Sequence, residues 1–83
     1  AIGCRVQVEK MIATGRIDMV VETSTIIYVL ELKLSNNGGV DAAAEQIKAK
    51  QYAEPFKADK RKITALAIEL DDLGKGLVAW KAI

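Results

Sequence analysis

Asp18, Glu31 and Lys33 are the residues whose types and spacing could do chemistry. Glu31 and Lys33 stand two apart in Ile26–Leu34, a run that reads as a strand, so both side chains point to one face of it. Asp18 lies in the preceding strand-like run. If the two runs form a hairpin around Ser24-Thr25, residues whose numbers sum to about 49 face each other, which sets Asp18 beside Glu31. Two carboxylates so placed repel unless a proton or a cation intervenes. Hard oxygen ligands of this kind suit Mg²⁺ or Mn²⁺, which keep several waters. Lys33 is placed to orient a metal-bound water or to stabilise charge developing on a phosphate.

The elements that must position these groups follow from hydrophobic period and turn chemistry. Cys4 to Met11 reads as a first strand, with Val6 and Val8 alternating with Arg5, Gln7 and Glu9. Thr14-Gly15-Arg16 reads as a turn, and Ile17 to Thr23 as a second strand. The third strand, Ile26 to Leu34, has one apolar face (Ile26, Tyr28, Leu30, Leu32, Leu34). Its other face starts apolar at Ile27 and Val29 and ends charged at Glu31 and Lys33, the pattern of a central strand opening into a cleft. Ser35 to Gly39 is loop by composition. Asp41 fits the start of a helix, Ala42 to Lys50 has high helix propensity, and Pro55 ends it. After a polar connection, Lys62 to Leu70 reads as a fourth strand and Leu77 to Ile83 as a short last one. The order β-β-β-α-β-β predicts an α/β (α+β) mixed sheet. The helix is a crossover that lets strands three and four run parallel. Its placement leaves one sheet face uncovered, and self-association into a homo-oligomer is the expected remedy.

Composition bounds the function. Eighty-three residues make one domain at most, spanning 1–83, and the absence of an initial Met leads to the expectation of a processed, trimmed or engineered piece, a fragment or C-terminal part of a larger protein. With no histidine, histidine triads, histidine-ligated zinc and histidine bases are excluded. No apolar run approaches the roughly 20 residues of a membrane span. The one cysteine, Cys4, reads as a buried thiol in a reducing, cytoplasmic setting. A net charge of +1 gives no global basic field, so contact with nucleic acid must rely on a local patch such as Lys48, Lys50, Lys57, Lys60, Arg61 and Lys62. Each reading has a plainer counterpart. Glu31 and Lys33 can be a salt-bridged strand end, Gln46 an exposed helix residue and the lysines a solvated face. Tyr52 can be a helix-end anchor, Trp80 a core residue, and Glu9 and Glu22 solvated.

Gly15-Arg16-Ile17-Asp18, then Glu31-Leu32-Lys33-Leu34, then Ala44 to Glu54 with Gln46 and Tyr52, resembles the PD-(D/E)XK nuclease superfamily. Within it, the pattern looks most like the domains at the C-terminus of bacterial AAA-ATPase-like proteins. The resemblance spans about residue 4 to residue 82. It implies a restriction-endonuclease-like core without the family's N-terminal helix and a Mg²⁺-dependent phosphodiesterase acting on nucleic acid, DNA above all. Asp18 and Glu31 would be metal ligands, with the Leu32 carbonyl as a third. Lys33 would position the attacking water, and Gln46 would approach from the helix. The family's Gln-x-x-x-Tyr spacing is not kept, because the tyrosine falls later, at Tyr52. The resemblance also implies an ATPase domain on the N-terminal side. The other class of function is a catalytically inactive binding or assembly module on the same fold.

Overall fold

The computed structural model describes residues 4–12, 15–73 and 75–83. Five strands and one long helix follow in the expected order: β1 (Arg5–Ile12), β2 (Gly15–Glu22), β3 (Ile26–Leu34), α1 (Gly39–Lys50), β4 (Lys62–Leu70) and β5 (Leu77–Ala82). The strands form one mixed sheet in the order β1-β2-β3-β4-β5. The β1/β2, β2/β3 and β4/β5 pairs are antiparallel, while β3 and β4 are parallel across the α1 crossover. The β2/β3 register is the expected one, with Val20 against Val29 and Met19 against Leu30.

Thr23 builds the tight reversal before β3. Its hydroxyl accepts the Ile26 N–H at 2.9 Å, and its own N–H bonds the Ile26 carbonyl at 2.8 Å. The turn expected at Thr14 falls partly outside the described residues, and Gly15 and Arg16 already belong to β2. Between β3 and α1, Ser35–Asn37 form a short 3-10 turn, and the helix begins earlier than its propensity alone implied, at Gly39. Gly38 reaches φ 96°, a left-handed backbone that glycine adopts without steric cost.

Glu69 on β4 secures that entry. It accepts the Val40 N–H at 2.8 Å and the Ser35 hydroxyl at 2.6 Å. The Ser35 hydroxyl first, then the Val40 N–H, hold its carboxyl below the usual carboxylate range. A negative group at a helix N-terminus is favoured by the unsatisfied N–H groups and the dipole there.

One face of the sheet packs on α1. Val20, Ile27, Val29, Ala65 and Ala67 meet Ala43, Ala44 and Ile47, with Tyr52 and Phe56 closing the end. Alanines on both sides let the helix lie close to the strands, which brings polar side chains at the margin of its buried stripe within reach of β3. The other face carries half-buried Tyr28, Leu30, Leu66 and Ile68, flanked on the edge strands by exposed Val8 and Trp80. Trp80, expected in the core, is 62% exposed because it stands on an edge strand and points away from α1. Cys4, expected to be buried, is also exposed, lying just before edge strand β1.

Candidate active site

The site forms where β2 and β3 separate. Their described pairs run from Glu22–Ile27 to Met19–Leu30. Past that point β2 continues against β1 through Ile17, Arg16 and Gly15. In the opening, Asp18 Oδ2 accepts the Leu32 main-chain N–H at 3.0 Å. A side-chain carboxylate thus satisfies a strand N–H and is fixed beside Glu31.

Glu31 is the central group. It faces α1 and is 1% exposed, the one charged side chain in the core among the described residues. Its Oε1 accepts the Gln46 amide and, at 3.2 Å, the Tyr52 hydroxyl. Gln46 Nε2 also donates to the Tyr52 hydroxyl, at 3.0 Å. Oε2 is buried without a hydrogen-bond partner. Burial is the main force pushing the Glu31 carboxyl up, from 4.5 to about 8, and the neighbouring Asp18 carboxyl adds to it. The Tyr52 hydroxyl and the Lys33 charge pull the other way. Burial also pushes the Tyr52 phenol up, against the Gln46 hydrogen bond and with the Glu31 charge. An ionised carboxylate this deep needs a compensating charge, and neutralisation by a proton is the alternative.

Asp18, Glu31 and Gln46 therefore come together. Lys33 is half-buried two residues beyond Glu31, on the same strand face, and acts on it electrostatically. Leu32 contributes its N–H to Asp18, and its side chain lies on the opposite face. The donor set fits a hard divalent cation in kind: two carboxylates, one with a buried oxygen that no donor meets. Among the described residues no group of three or more His, Cys, Asp or Glu is gathered for a metal, so a cation held here would complete its shell with main-chain oxygen and water.

Tyr52, which falls outside the Gln-x-x-x-Tyr spacing and reads from sequence as a core or helix-end anchor, is also brought to Glu31 by the fold. It is buried, as an anchor would be, yet its hydroxyl also joins the site. The helix ends at Lys50, and Gln51 takes a left-handed φ of 51° with its N–H returned to the Lys48 carbonyl. That reversal brings Tyr52 back under the helix, where it meets Ile47 in the core and Gln46 at its hydroxyl. A tyrosine six positions after the glutamine thus does what an i+4 spacing within a helix would otherwise do.

Two further expectations are corrected. Glu22 is not solvated, because it pairs with Arg61 at 2.8 Å. Arg61 also binds Asp59, so it is committed to local ion pairs and drops out of the basic cluster, whose lysines remain exposed.

Comparison with known proteins identifies the family. Residues 1–80 match the PD-(D/E)XK nuclease superfamily. The chain belongs to that superfamily. The small α+β domain, a mixed five-stranded sheet with one crossover helix, is consistent with the superfamily's restriction-endonuclease-like fold. PD-(D/E)XK nucleases generally use divalent metals, which agrees with the donor set. The chain is also 30% identical over 80 residues to an uncharacterized protein in the vnfD 5' region of Azotobacter chroococcum mcd 1. It spans 96% of this chain but 16% of that relative's length. No solved structure matches. Among the described residues no helix is long and apolar enough to cross a membrane.

Proposed function

We propose that this domain hydrolyses phosphodiester bonds in DNA, with Mg²⁺ or Mn²⁺ held by Asp18 and Glu31. The observation that carries the reading is the buried Glu31 Oε2, without a hydrogen-bond partner, beside a second carboxyl. A protein keeps such an oxygen dry and unmet at a cost, and a cation arriving between two carboxylates removes that cost. Asp18 and Glu31 would hold the cation, with the Leu32 carbonyl as a third oxygen. When bound, the cation supplies Lewis-acid stabilisation of charge on the phosphate and a more acidic water. Lys33 directs its ammonium toward the phosphate and the attacking water. Gln46 holds Glu31 in place. The water oxygen forms the new bond to phosphorus and releases a proton to solvent, the ester P–O bond breaks, and the departing oxygen takes up a proton from solvent.

The test is cleavage of DNA in Mg²⁺ or Mn²⁺ by the wild type and by Glu31→Ala. Loss of cleavage in the variant is expected, and unchanged cleavage rejects the site. A second reading, a non-catalytic binding or assembly module, is favoured by the acid cluster ending at two carboxylates among the described residues. Calorimetric titration with Mn²⁺ separates the readings: a module without this site gives the same heat for wild type and Asp18→Ala.

We further read residues 1–83 as one domain of a longer protein, in line with the short share of the relative that it spans. The reading extends to an ATPase domain on the N-terminal side, on the resemblance alone, and to a cytoplasmic setting, with the unpaired thiol of Cys4 as its support. The apolar sheet face opposite α1 fits a homodimer. Sedimentation at high concentration tests this, and a strictly monomeric mass rejects it.

A further inference from the structure

Glu31 has two carboxylate oxygens with opposite fates. Oε1 accepts both the Gln46 amide and the Tyr52 hydroxyl, while Oε2 meets no donor. The two donors are themselves linked, since Gln46 Nε2 also donates to the Tyr52 oxygen at 3.0 Å. That bond leaves the Tyr52 proton directed at Glu31. The three groups therefore form a closed ring whose members fix one another's direction. The backbone holds it from below, because the left-handed turn at Gln51 and the buried ring of Tyr52 set the height of the hydroxyl.

We propose that Tyr52 is a positioning residue that makes Glu31 a one-oxygen ligand. Its hydroxyl, with the Gln46 amide, occupies Oε1 and leaves Oε2 alone to meet a divalent cation. This rests on the metal-dependent reading above. The consequence is a choice among cations. Mg²⁺ and Mn²⁺ take single oxygens in octahedral geometry, whereas Ca²⁺ accommodates a carboxylate through both oxygens. A carboxylate locked at Oε1 favours the former.

The experiment is titration calorimetry of the wild type, Tyr52→Phe and Glu31→Ala with Mn²⁺ and, separately, Ca²⁺. Tyr52→Phe keeps the buried ring and removes the hydroxyl. Its Mn²⁺ affinity is expected to fall about tenfold, as for other groups that orient a ligand. Its Ca²⁺ affinity is expected to fall less or to rise, so the preference for Mn²⁺ over Ca²⁺ narrows. Equal losses for both ions, which a merely structural role would give, overturn the proposal, as does an unchanged preference. Should Tyr52→Phe fail to fold, Gln46→Met decides. It removes the other Oε1 donor from a helix face that is part exposed, and the same narrowing is expected. If the wild type binds no Mn²⁺, or binds it no better than Glu31→Ala, the metal site itself is wrong and the proposal falls with it.

Discussion

Asp18 and Glu22 stand on the same face of β2, separated by about 13 Å of strand, and each faces a second charged partner brought from elsewhere in the fold. Glu22 meets Arg61, which also grips Asp59 and the Thr23 carbonyl. There the guanidinium lowers the Asp59 carboxyl to about 2, and the carboxylates raise Arg61 in return. Asp18 instead faces another acid. Glu31 is buried and is pushed up to about 8. The same residue types thus give two outcomes on one strand. The Arg61 cluster is closed, with every charge answered inside the chain. The Glu31 cluster is open in that its Oε2 is buried without a hydrogen-bond partner, beside a second acid in place of a cation. A buried acid whose charge is disfavoured by burial and by a neighbouring acid is a candidate for a working site.

The contrast is broken most directly at Glu31. Glu31→Ala is expected to abolish Mn²⁺ binding and to lower DNA cleavage by a factor on the order of a thousand, the size seen when a central electrostatic group is removed. Mn²⁺ calorimetry and a gel-based cleavage assay read the two effects. Retained binding would show that the open cluster is not the metal site. Lys33→Ala should cost cleavage about a hundredfold with Mn²⁺ affinity intact or improved, because it removes a positive charge from beside the acids. A variant that loses metal and activity together would instead make Lys33 a structural partner of Glu31.

Without metal, the open cluster has a pH signature. Below pH 4.5, the ordinary value for this carboxyl, Glu31 is protonated in folded and unfolded chains alike and makes no difference. From 4.5 to about 8 the unfolded chain releases the proton and the folded chain keeps it. Stability therefore falls with rising pH in that window, by up to about 1.4 kcal/mol per unit. Thermal melts of the metal-free protein should show this fall. Glu31→Gln should flatten it, since the amide cannot ionise. A wild-type Tm that is flat or rising across the window would count against a buried, protonated Glu31.

Much of this was legible in the sequence wherever the determinant is local. The bounds of β3 and β4 follow from their long apolar alternation, and the Asp18–Glu31 juxtaposition follows from a short hairpin whose register the Thr23 turn sets. What escaped depends on distant partners or on backbone exceptions. Glu69 reaches the start of α1 from 29 residues away, and Arg61 reaches Glu22 across 39. Neither spacing has a periodicity to betray it. Tyr52 joins the site only because Gln51, not a glycine, turns left-handed. Trp80 looked like core because large aromatics usually bury their surface, but burial needs a layer on that side of the sheet.

The smallest expected effect comes from the closed cluster. Arg61→Ala removes a group that bridges the β2 end to the segment before β4, through Glu22, Thr23 and Asp59. Its partners are near the surface, where water can answer the charges left behind. A slight fall in Tm is expected, with Mn²⁺ affinity and cleavage unchanged. The Asp59 carboxyl should return toward its ordinary 3.8 once the guanidinium is gone, which an NMR titration of its side chain would follow. If Arg61→Ala instead weakened Mn²⁺ binding as strongly as Asp18→Ala, the two ends of β2 would be energetically coupled. The division between a closed structural cluster and an open chemical one would then have to be given up.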